Sequence, residues 1–281
     1  MKSLILFIIS LTAILPVAHA QQSDSIFVVN ALQAARNMPR ATTDMTLHFA
    51  RLFLGRPYVA HTLEVNDQER LVTNTRELDC TTLVENVVAL TLCVYRNHYT
   101  WRDFKNTLLE LRYRGGRLDG YASRLHYFSD WIDDNSHRGL VSELQAPNPP
   151  FTAVQTINVN YMSRHQQAYK ALKAHPETVP LIAAQERALS GRQYRYIPKS
   201  QVGNTKALRS AVHDGDLIAI TCSKAGLDIA HLGFAVWRSD GLHLLNASQL
   251  HRKVVEEPMT LGQYLKKHPS HTGIRIVRIQ K

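Results

Sequence analysis

A cysteine with polar neighbours opens an apolar run of helical spacing in the stretch 77–90, ELDCTTLVENVVAL. At the first turn of a helix, the thiol of Cys80 would face the positive end of the helix dipole, which lowers the pKa of a thiol and favours the nucleophilic thiolate. Asp79 is the expected cap of that helix. Cys93 and Cys222 complete an odd set of three, so at least one thiol is unpaired, and pairing of these two stays open. Cys80 is the candidate nucleophile.

A base for that thiol is predicted at His231, within the strand-like run 229–237, IAHLGFAVW. Alternation along a strand puts His231 on one face with Gly233 and Ala235, while larger apolar residues point to the other face. Two small residues beside a histidine leave room on their face, and we expect the Cys80 helix to pack there. The alternative is a histidine on a half-exposed strand with no catalytic role.

A third residue should orient the imidazole by accepting a hydrogen bond from its second nitrogen. The run 242–248, LHLLNAS, follows a turn at 239–241 and should pair with the histidine strand. Asn246 and Ser248 share one face of this run, and Asn246 can reach His231 directly or diagonally. The amide oxygen of Asn246 would fix the tautomer of the base without adding charge.

Other hydrolytic chemistries lack their motifs. The chain has no H-E-x-x-H, no paired CxxC and no G-x-S-x-G. We therefore predict neither a metal nor an organic cofactor.

The elements that position these residues change in type along the chain. Helical periodicity dominates up to about residue 113, and short strand-like runs follow from about residue 214. Helices followed by an antiparallel sheet predict an α+β fold. The intervening segment, about 114–200, is loop-rich, without repeats or a flexible linker, and is expected to elaborate a single domain over 21–281.

The N-terminal twenty residues have the pattern of a signal peptide, with a lysine, an apolar run and a small-x-small site at 18–20. We expect cleavage after Ala20, export to a periplasm and no transmembrane anchor. The formal charge of +10 favours an anionic partner such as a cell-wall polymer. Basic residues are scattered and export separates the protein from nucleic acid, so nucleic acid is not an expected partner. Nothing in the sequence suggests an obligate assembly, and a monomer is expected.

Several motifs resemble a known family. In chain order they are LGRPYV, DCTTLVE, DGDLIAI, IAHLGFAV and LLNAS, and together they look like the NlpC-type branch of papain-like cysteine hydrolases, which cleave bacterial peptidoglycan. The segments GYASRLHYFSDW, INVNYMSRHQQAY and YIPK are similar to the compact bacterial family described as N-acetylmuramoyl-L-alanine amidase-like. The resemblance spans roughly residues 54–279. It implies a papain-like core with the nucleophile helix packed on an antiparallel sheet.

The resemblance also implies roles for individual residues. Cys80 would be the nucleophile, His231 the base and Asn246 the orienting residue, with Tyr58 in the oxyanion hole or at the substrate rim. Many members of the superfamily have histidine in the third position.

Because this chain has asparagine there, Ser248 or His251 stays open as the orienting residue. In the superfamily's endopeptidases, an aspartate in the position of Asp79 commonly binds a free peptide amine. The substrate of an amidase has no such amine.

The activity implied by the resemblance is cleavage of the amide between the lactyl group of N-acetylmuramic acid and L-alanine, through a thioester. One alternative is a γ-D-glutamyl stem-peptide endopeptidase, which Asp79 favours. Another is a peptidoglycan-binding module without catalysis. The sequence decides neither between intact wall and small fragments nor the preferred stem length.

The middle segment supplies a further hypothesis. The stretch DGYASRLHYFSDW combines Arg124 with several aromatic residues in a loop-like pattern. We expect Arg124 to bind a stem carboxylate and Tyr127 to pack against the sugar or alanine. The alternative is a packed loop whose aromatic residues belong to the core.

Overall fold

The computed structural model describes residues 14–39 and 44–281. The predicted signal peptide falls largely in residues 1–13, outside the described residues, and the first helix (Ile14–Arg36) runs across the predicted cleavage point after Ala20. In the two described ranges, no helix is both long and apolar enough to cross a membrane.

The α-helices lie mainly in the N-terminal and middle parts of the chain. The longest helix with a defined cap begins at Cys80, and almost all of its residues are buried. The helices are α1 (Ile14–Arg36), α2 (Met45–Arg51), α3 (Cys80–Tyr95), α4 (Trp101–Arg112), α5 (Phe128–His137), α6 (Tyr161–Arg164), α7 (Lys170–Ala174), α8 (Val179–Leu189), α9 (Lys206–Ala211) and α10 (Leu261–Lys267).

The strands form one antiparallel sheet in the order β2-β3-β8-β4-β5-β6-β7, and β1 also pairs with β8. Helices with an antiparallel sheet confirm the α+β class. The strands are β1 (Val141–Glu143), β2 (Ala153–Thr156), β3 (Gln193–Pro198), β4 (Leu217–Cys222), β5 (Ile229–Trp237), β6 (Leu242–Ser248), β7 (Lys253–Glu256) and β8 (His271–Ile279).

The C-terminal strands match the strand-like runs of the sequence. Strand β5 ends at Trp237 and β6 begins at Leu242, and paired backbone hydrogen bonds between Arg238 and Gly241 close the predicted turn. The hairpin register places Phe234 opposite Leu245. The sequence signal here was a set of short, largely apolar runs separated by turn residues, as expected for strands such as β4 and β6 that are buried on both faces.

The middle segment is more ordered than the predicted loop-rich elaboration. Strand β3 pairs with β8 through Ile197 and Ile274, so this segment extends the main sheet. The end of the stretch expected to be loop-like, from Phe128 onward, begins helix α5. Helices α6 and α8 enclose a separate apolar cluster that includes Met162 and Ile182. Strands β1 to β3 were not predicted because their runs are short and their pairing partners are distant in sequence.

Helix α3 packs on the face of β5 opposite to the one expected. Leu232 and Phe234 join the apolar residues of α3 in one core cluster, whereas Ala235 belongs to the cluster on the other face with β4, β8, α9 and α10. A Cβ on Gly233 would lie 2.7 Å from Cδ1 of Leu244 in strand β6. The small residues of β5 therefore accommodate a neighbouring strand, and the prediction that they receive the Cys80 helix was wrong.

Candidate active site

Cys80 is the first residue of α3, and Asp79 is its N-cap. The Oδ1 atom of Asp79 accepts hydrogen bonds from the backbone N–H and the hydroxyl of Thr82, each 2.8 Å long, and Oγ1 of Thr82 accepts from the Asp79 N–H at 2.9 Å. This reciprocal capping box satisfies donors that would otherwise be unpaired at the helix start. The predicted cap is confirmed, and its geometry fixes the direction in which Cys80 leaves the helix.

His231 lies next to a bulge at the N-terminal end of β5. Ile220 of β4 is opposite His231, but the next residue, Thr221, is opposite Ile229, which leaves Ala230 as an extra residue. A bulge bends its strand and redirects the adjacent side chains. Residues 229–232 at this bulge line the same cavity as Cys80, the first residue of α3.

Asn246 is the residue that contacts the imidazole. Its Oδ1 atom lies 2.9 Å from Nε2 of His231. Extending the register of β5 and β6 puts Gly233 opposite Asn246, so His231 is its diagonal neighbour. The contact has the diagonal geometry that the sequence allowed.

A buried carboxylate, Glu257, fixes the orientation of this amide. Nδ2 of Asn246 donates to Oε1 of Glu257 over 3.1 Å, so the amide oxygen points to the histidine. Because that oxygen can only accept, Nε2 of His231 carries its proton and Nδ1 is the free base nitrogen. Sequence analysis missed Glu257 because its position under Asn246 depends on the chain path after β7.

The two alternative orienting residues, Ser248 and His251, are connected to Glu257 or to each other and not to the imidazole of His231. Nε2 of His251 lies 3.1 Å from Oε2 of Glu257, and the His251 backbone N–H donates to Oγ of Ser248 over 3.3 Å. Both residues therefore support Glu257 or its surroundings. The position beside His231 is occupied by Asn246.

Cys80 and His231 line one cavity of about 180 Å³, which we call the thiol lobe. Its opposite wall consists of side chains from the middle segment. That wall includes His126, Tyr127, Phe128, Met162 and Tyr169.

The electrostatics of the thiol lobe favour a neutral pair of thiol and imidazole. Burial, together with the nearby Asp79 carboxylate, raises the pKa of the Cys80 thiol to about 12, although a backbone hydrogen bond from Leu232 acts in the opposite direction. Burial also lowers the pKa of His231 below its ordinary value, despite the hydrogen bond to Asn246. The expectation of a lowered thiol pKa was wrong, because desolvation of the anion outweighs the opposing hydrogen bonds involving Leu232 and Thr81.

Tyr58 lies beside the start of α3. Its backbone N–H donates to the Arg252 carbonyl over 3.0 Å, and it forms a bridge with Leu78. Burial raises the pKa of the Tyr58 hydroxyl, with further contributions from the charges of Cys80 and Asp79. The phenol is therefore a neutral donor close to the thiol.

A second and larger cavity, of about 570 Å³, adjoins the other side of His231. We call it the basic lobe because its walls carry Lys224, Arg252, His268 and His271. Ser248 also lines it, whereas Cys80 does not. His231 belongs to both lobes.

Arg124 is an internal ion-pair residue. Its Nη2 atom is 2.5 Å from Oε1 of Glu64, its Nε atom is 3.3 Å from Oε1 of Glu69, and only 6% of the residue is exposed. The guanidinium also lies over the ring of Tyr121. The expectation that Arg124 binds a stem carboxylate is corrected, because its charge is already neutralised inside the protein.

Tyr127 is both a packed residue of the core and part of the cavity wall. Its hydroxyl donates to Oε1 of Glu186 over 2.7 Å and accepts from the Met162 backbone N–H over 3.1 Å, so its polar end is structural. The ring nevertheless lines the thiol lobe. Tyr127 can therefore offer an apolar surface to a ligand, but its hydroxyl is already occupied.

His126 is a polar residue of the thiol lobe to which the sequence gave no role. Its Nε2 atom lies 2.9 Å from the Tyr121 carbonyl, which can only accept a hydrogen bond. Burial, with the positive charge of Arg124, lowers the pKa of His126 to about 3. The neutral ring therefore donates through Nε2 and keeps Nδ1 as an acceptor.

The three cysteines, all within the described ranges, are unpaired; Cys93 and Cys222 are buried and Cys80 is partly exposed. Among residues 14–39 and 44–281, no three or more His, Cys, Asp or Glu side chains are grouped as metal ligands.

Comparison with known proteins gives a consistent result. Residues 48–274 match the model of the AmiA-like family, described as N-acetylmuramoyl-L-alanine amidase-like. An N-acetylmuramoyl-L-alanine amidase from Bacteroides uniformis ATCC 8492 is 40% identical, with 84% of this chain and 98% of that chain covered and a TM-score of 0.79. A Bacteroides fragilis structure named as a xylanase is 42% identical, covering 83% and 100% of the two chains, with a TM-score of 0.77.

A protein from Legionella pneumophila shares the fold alone, at 22% identity, 94% and 97% coverage and a TM-score of 0.73. No curated protein matches the chain. The fold and the matched relatives define a hydrolase of the peptidoglycan amidase class. The chain belongs to the N-acetylmuramoyl-L-alanine amidase-like family.

Proposed function

We propose that the protein is a cysteine amidohydrolase that cleaves the amide between the muramoyl lactyl group and L-alanine in peptidoglycan fragments. The observation that carries this proposal is the shared cavity of Cys80 and His231, with Asn246 bonded to the far nitrogen of the imidazole. Membership of the amidase-like family supports the same bond. The Oδ1 atom of Asp79, the residue that favoured an endopeptidase, is engaged in the helix cap.

The papain-like, NlpC-type assignment is part of this proposal. It is supported by a cysteine at the start of a helix, a histidine on an antiparallel strand and an asparagine on the next strand, in that chain order. The same arrangement of nucleophile, base and orienting residue recurs among cysteine hydrolases.

The reaction begins with neutral groups. Nδ1 of His231 takes the thiol proton as Sγ of Cys80 attacks the amide carbon, which gives a tetrahedral oxyanion and an imidazolium. The backbone N–H of Cys80, at the first position of the helix, and the hydroxyl of Tyr58 are the proposed donors to that oxyanion. Low polarity around the thiol makes these donors more effective.

The imidazolium then gives its proton to the alanine nitrogen as the C–N bond breaks. The peptide leaves as an amine, and the lactyl carbonyl remains as a thioester on Cys80. His231 next takes a proton from water, which attacks the thioester and releases the carboxylic acid and the thiol. This sequence uses neither a metal nor an organic cofactor.

The biological setting is proposed on the sequence. The N-terminal pattern at residues 1–20 supports export to a periplasm, and the net charge of +10 suits an anionic cell-wall substrate. The expected partners are peptidoglycan fragments, with no nucleic acid, and the expected state is a monomer.

The test compares wild type, Cys80→Ala and Cys222→Ala on defined muropeptides, with product masses as the readout. Wild type should release an intact stem peptide and a free glycan, and Cys80→Ala should lose at least about 1000-fold in kcat. Cys222→Ala is the matched control for loss of a thiol outside the thiol lobe. Products cut within the stem, or an active Cys80→Ala protein in the presence of chelator, would refute the proposal.

A further inference from the structure

The geometry points to a division of the substrate between the two lobes. We propose that the basic lobe binds the peptide stem through its free carboxylates, and that the aromatic wall of the thiol lobe binds the muramoyl sugar. This inference rests on the proposed function and adds the residues that determine substrate preference. It also replaces Arg124 as the carboxylate-binding group.

The position of His231 between the two lobes determines which half of the substrate each lobe can hold in the proposed reaction. The acyl part of the substrate becomes bonded to Cys80, so it must occupy the lobe that contains the thiol. The leaving amine takes its proton from His231, so it must depart across the imidazole. The basic lobe shares His231 with the thiol lobe but does not include Cys80. It is therefore the compartment on the leaving-group side.

The two halves of the substrate differ in charge. The carboxyl of the muramoyl lactyl group is part of the scissile amide, so the sugar half carries no charge from it. A γ-linked glutamyl residue after alanine keeps its α-carboxylate, so the peptide half is anionic. An anionic leaving group fits a cationic compartment.

The walls of the basic lobe carry cationic side chains and no carboxylate. Lys224 and Arg252 are exposed, and in the described part of the chain neither has an ion-pair partner. No aspartate or glutamate is among the residues that line this lobe. Burial first, and then neighbouring basic groups such as His268 and Lys224, lower the pKa of His271 to about 4, so His271 is neutral near pH 7 and Lys224 and Arg252 supply the positive charge of the lobe.

The wall of the thiol lobe is mainly aromatic and apolar, in contrast to that of the basic lobe. Tyr127, Phe128, Met162 and Tyr169 form an apolar surface suited to the C–H face of a sugar. The lobe is lined by no lysine or arginine. Nδ1 of His126 is an acceptor there, available to a hydroxyl or an acetamido N–H.

The test uses two substrates that differ in one charge. They are N-acetylmuramoyl-L-alanyl-D-glutamate and its α-carboxamide, N-acetylmuramoyl-L-alanyl-D-isoglutamine. Wild type should show a kcat/KM about tenfold higher for the free acid. In the double variant Lys224→Gln/Arg252→Asn, this ratio should fall to about one; asparagine tolerates the positive φ of Arg252.

The matched control is Arg102→Gln/Lys206→Gln, which removes the same charge from exposed sites on α4 and α9. This control should keep the wild-type preference for the acid. Equal kcat/KM values for acid and amide in wild type, or an unchanged ratio in the lobe variant, would overturn the inference while the proposed function stands.

A binding measurement separates this inference from the proposed function. The Cys80→Ala protein is titrated calorimetrically with L-alanyl-D-glutamate and with L-alanyl-D-isoglutamine, with and without the two lobe substitutions. If wild type cleaves neither muropeptide, the proposed function fails and binding decides the inference. Tighter binding of the acid that depends on Lys224 and Arg252 supports the basic lobe, and equal or absent binding overturns it.

Discussion

The sheet region that carries His231 and Asn246 and the middle segment around Arg124 contain similar kinds of polar residues, but they use them differently. In the sheet region, the imidazole of His231 lies at a cavity and its second nitrogen contacts an amide from the next strand. In the middle segment, Arg124 and Tyr127 are bonded to acidic residues about sixty positions away in sequence. The comparison teaches that a charged or aromatic residue type does not by itself indicate a ligand contact. The residues that contact it from distant parts of the sequence determine whether its side chain is available to a ligand.

The largest effect that would sharpen this contrast is expected in the sheet region, for His231→Gln. Loss of the proton-transfer group should lower kcat by about 1000-fold while KM changes little. His213→Gln, at an exposed site, is the control and should behave as wild type. A loss of less than tenfold would remove His231 from the role of base.

The wild-type pH profile belongs to the same prediction. Because burial lowers the pKa of His231, the neutral base persists in mildly acidic solution. The acid limb of kcat/KM should therefore have its midpoint below pH 6.5, and activity should fall only as His231 becomes protonated.

The middle segment should respond in stability. Arg124→Met leaves Glu64 and Glu69 without their cation, which should cost roughly 3 kcal/mol of unfolding free energy. Thermal unfolding measures the loss, and kcat/KM per folded molecule should stay near wild type. Arg117→Met, at an exposed position, is the matched control. A stable Arg124→Met protein with a raised KM would restore Arg124 to the substrate site and break the comparison.

A smaller effect is expected for the groups behind the imidazole. Asn246→Ala should lower kcat on the order of 10- to 100-fold, since the ring loses the acceptor that fixes its tautomer. Glu257→Gln should cost less, because it still offers an oxygen to Nδ2 of Asn246. Kinetics with circular dichroism would compare the two variants. If Asn246→Ala lowered kcat less than Glu257→Gln does, the hydrogen bonds among His231, Asn246 and Glu257 would act mainly through packing.

The sequence predicted the parts of the fold and site that are local. The strands β4 to β8 follow short strand-like runs separated by turn residues, and the cap of α3 follows from Asp79 beside an apolar run. The diagonal relation of His231 and Asn246 followed from a short turn and a shared face.

The rest depends on tertiary contacts that a linear pattern does not contain. Both faces of β5 carry apolar residues, so alternation did not reveal which face packs against α3. Glu257 reaches Asn246 only because of the path after β7. The raised pKa of Cys80 likewise depends on residues distant in sequence that bury the thiol.

The protonated state of Cys80 has a consequence for chemical durability. Peroxides and disulfides react with thiolates, and a thiol that stays protonated resists conversion to sulfenic acid or a mixed disulfide. With the pKa of Cys80 raised to about 12, the resting residue offers little thiolate to such oxidants near neutral pH. In the proposed mechanism, the sulfur becomes strongly nucleophilic only when His231 takes its proton during attack on a bound amide. An unpaired cysteine can thus endure an oxidising environment between turnovers.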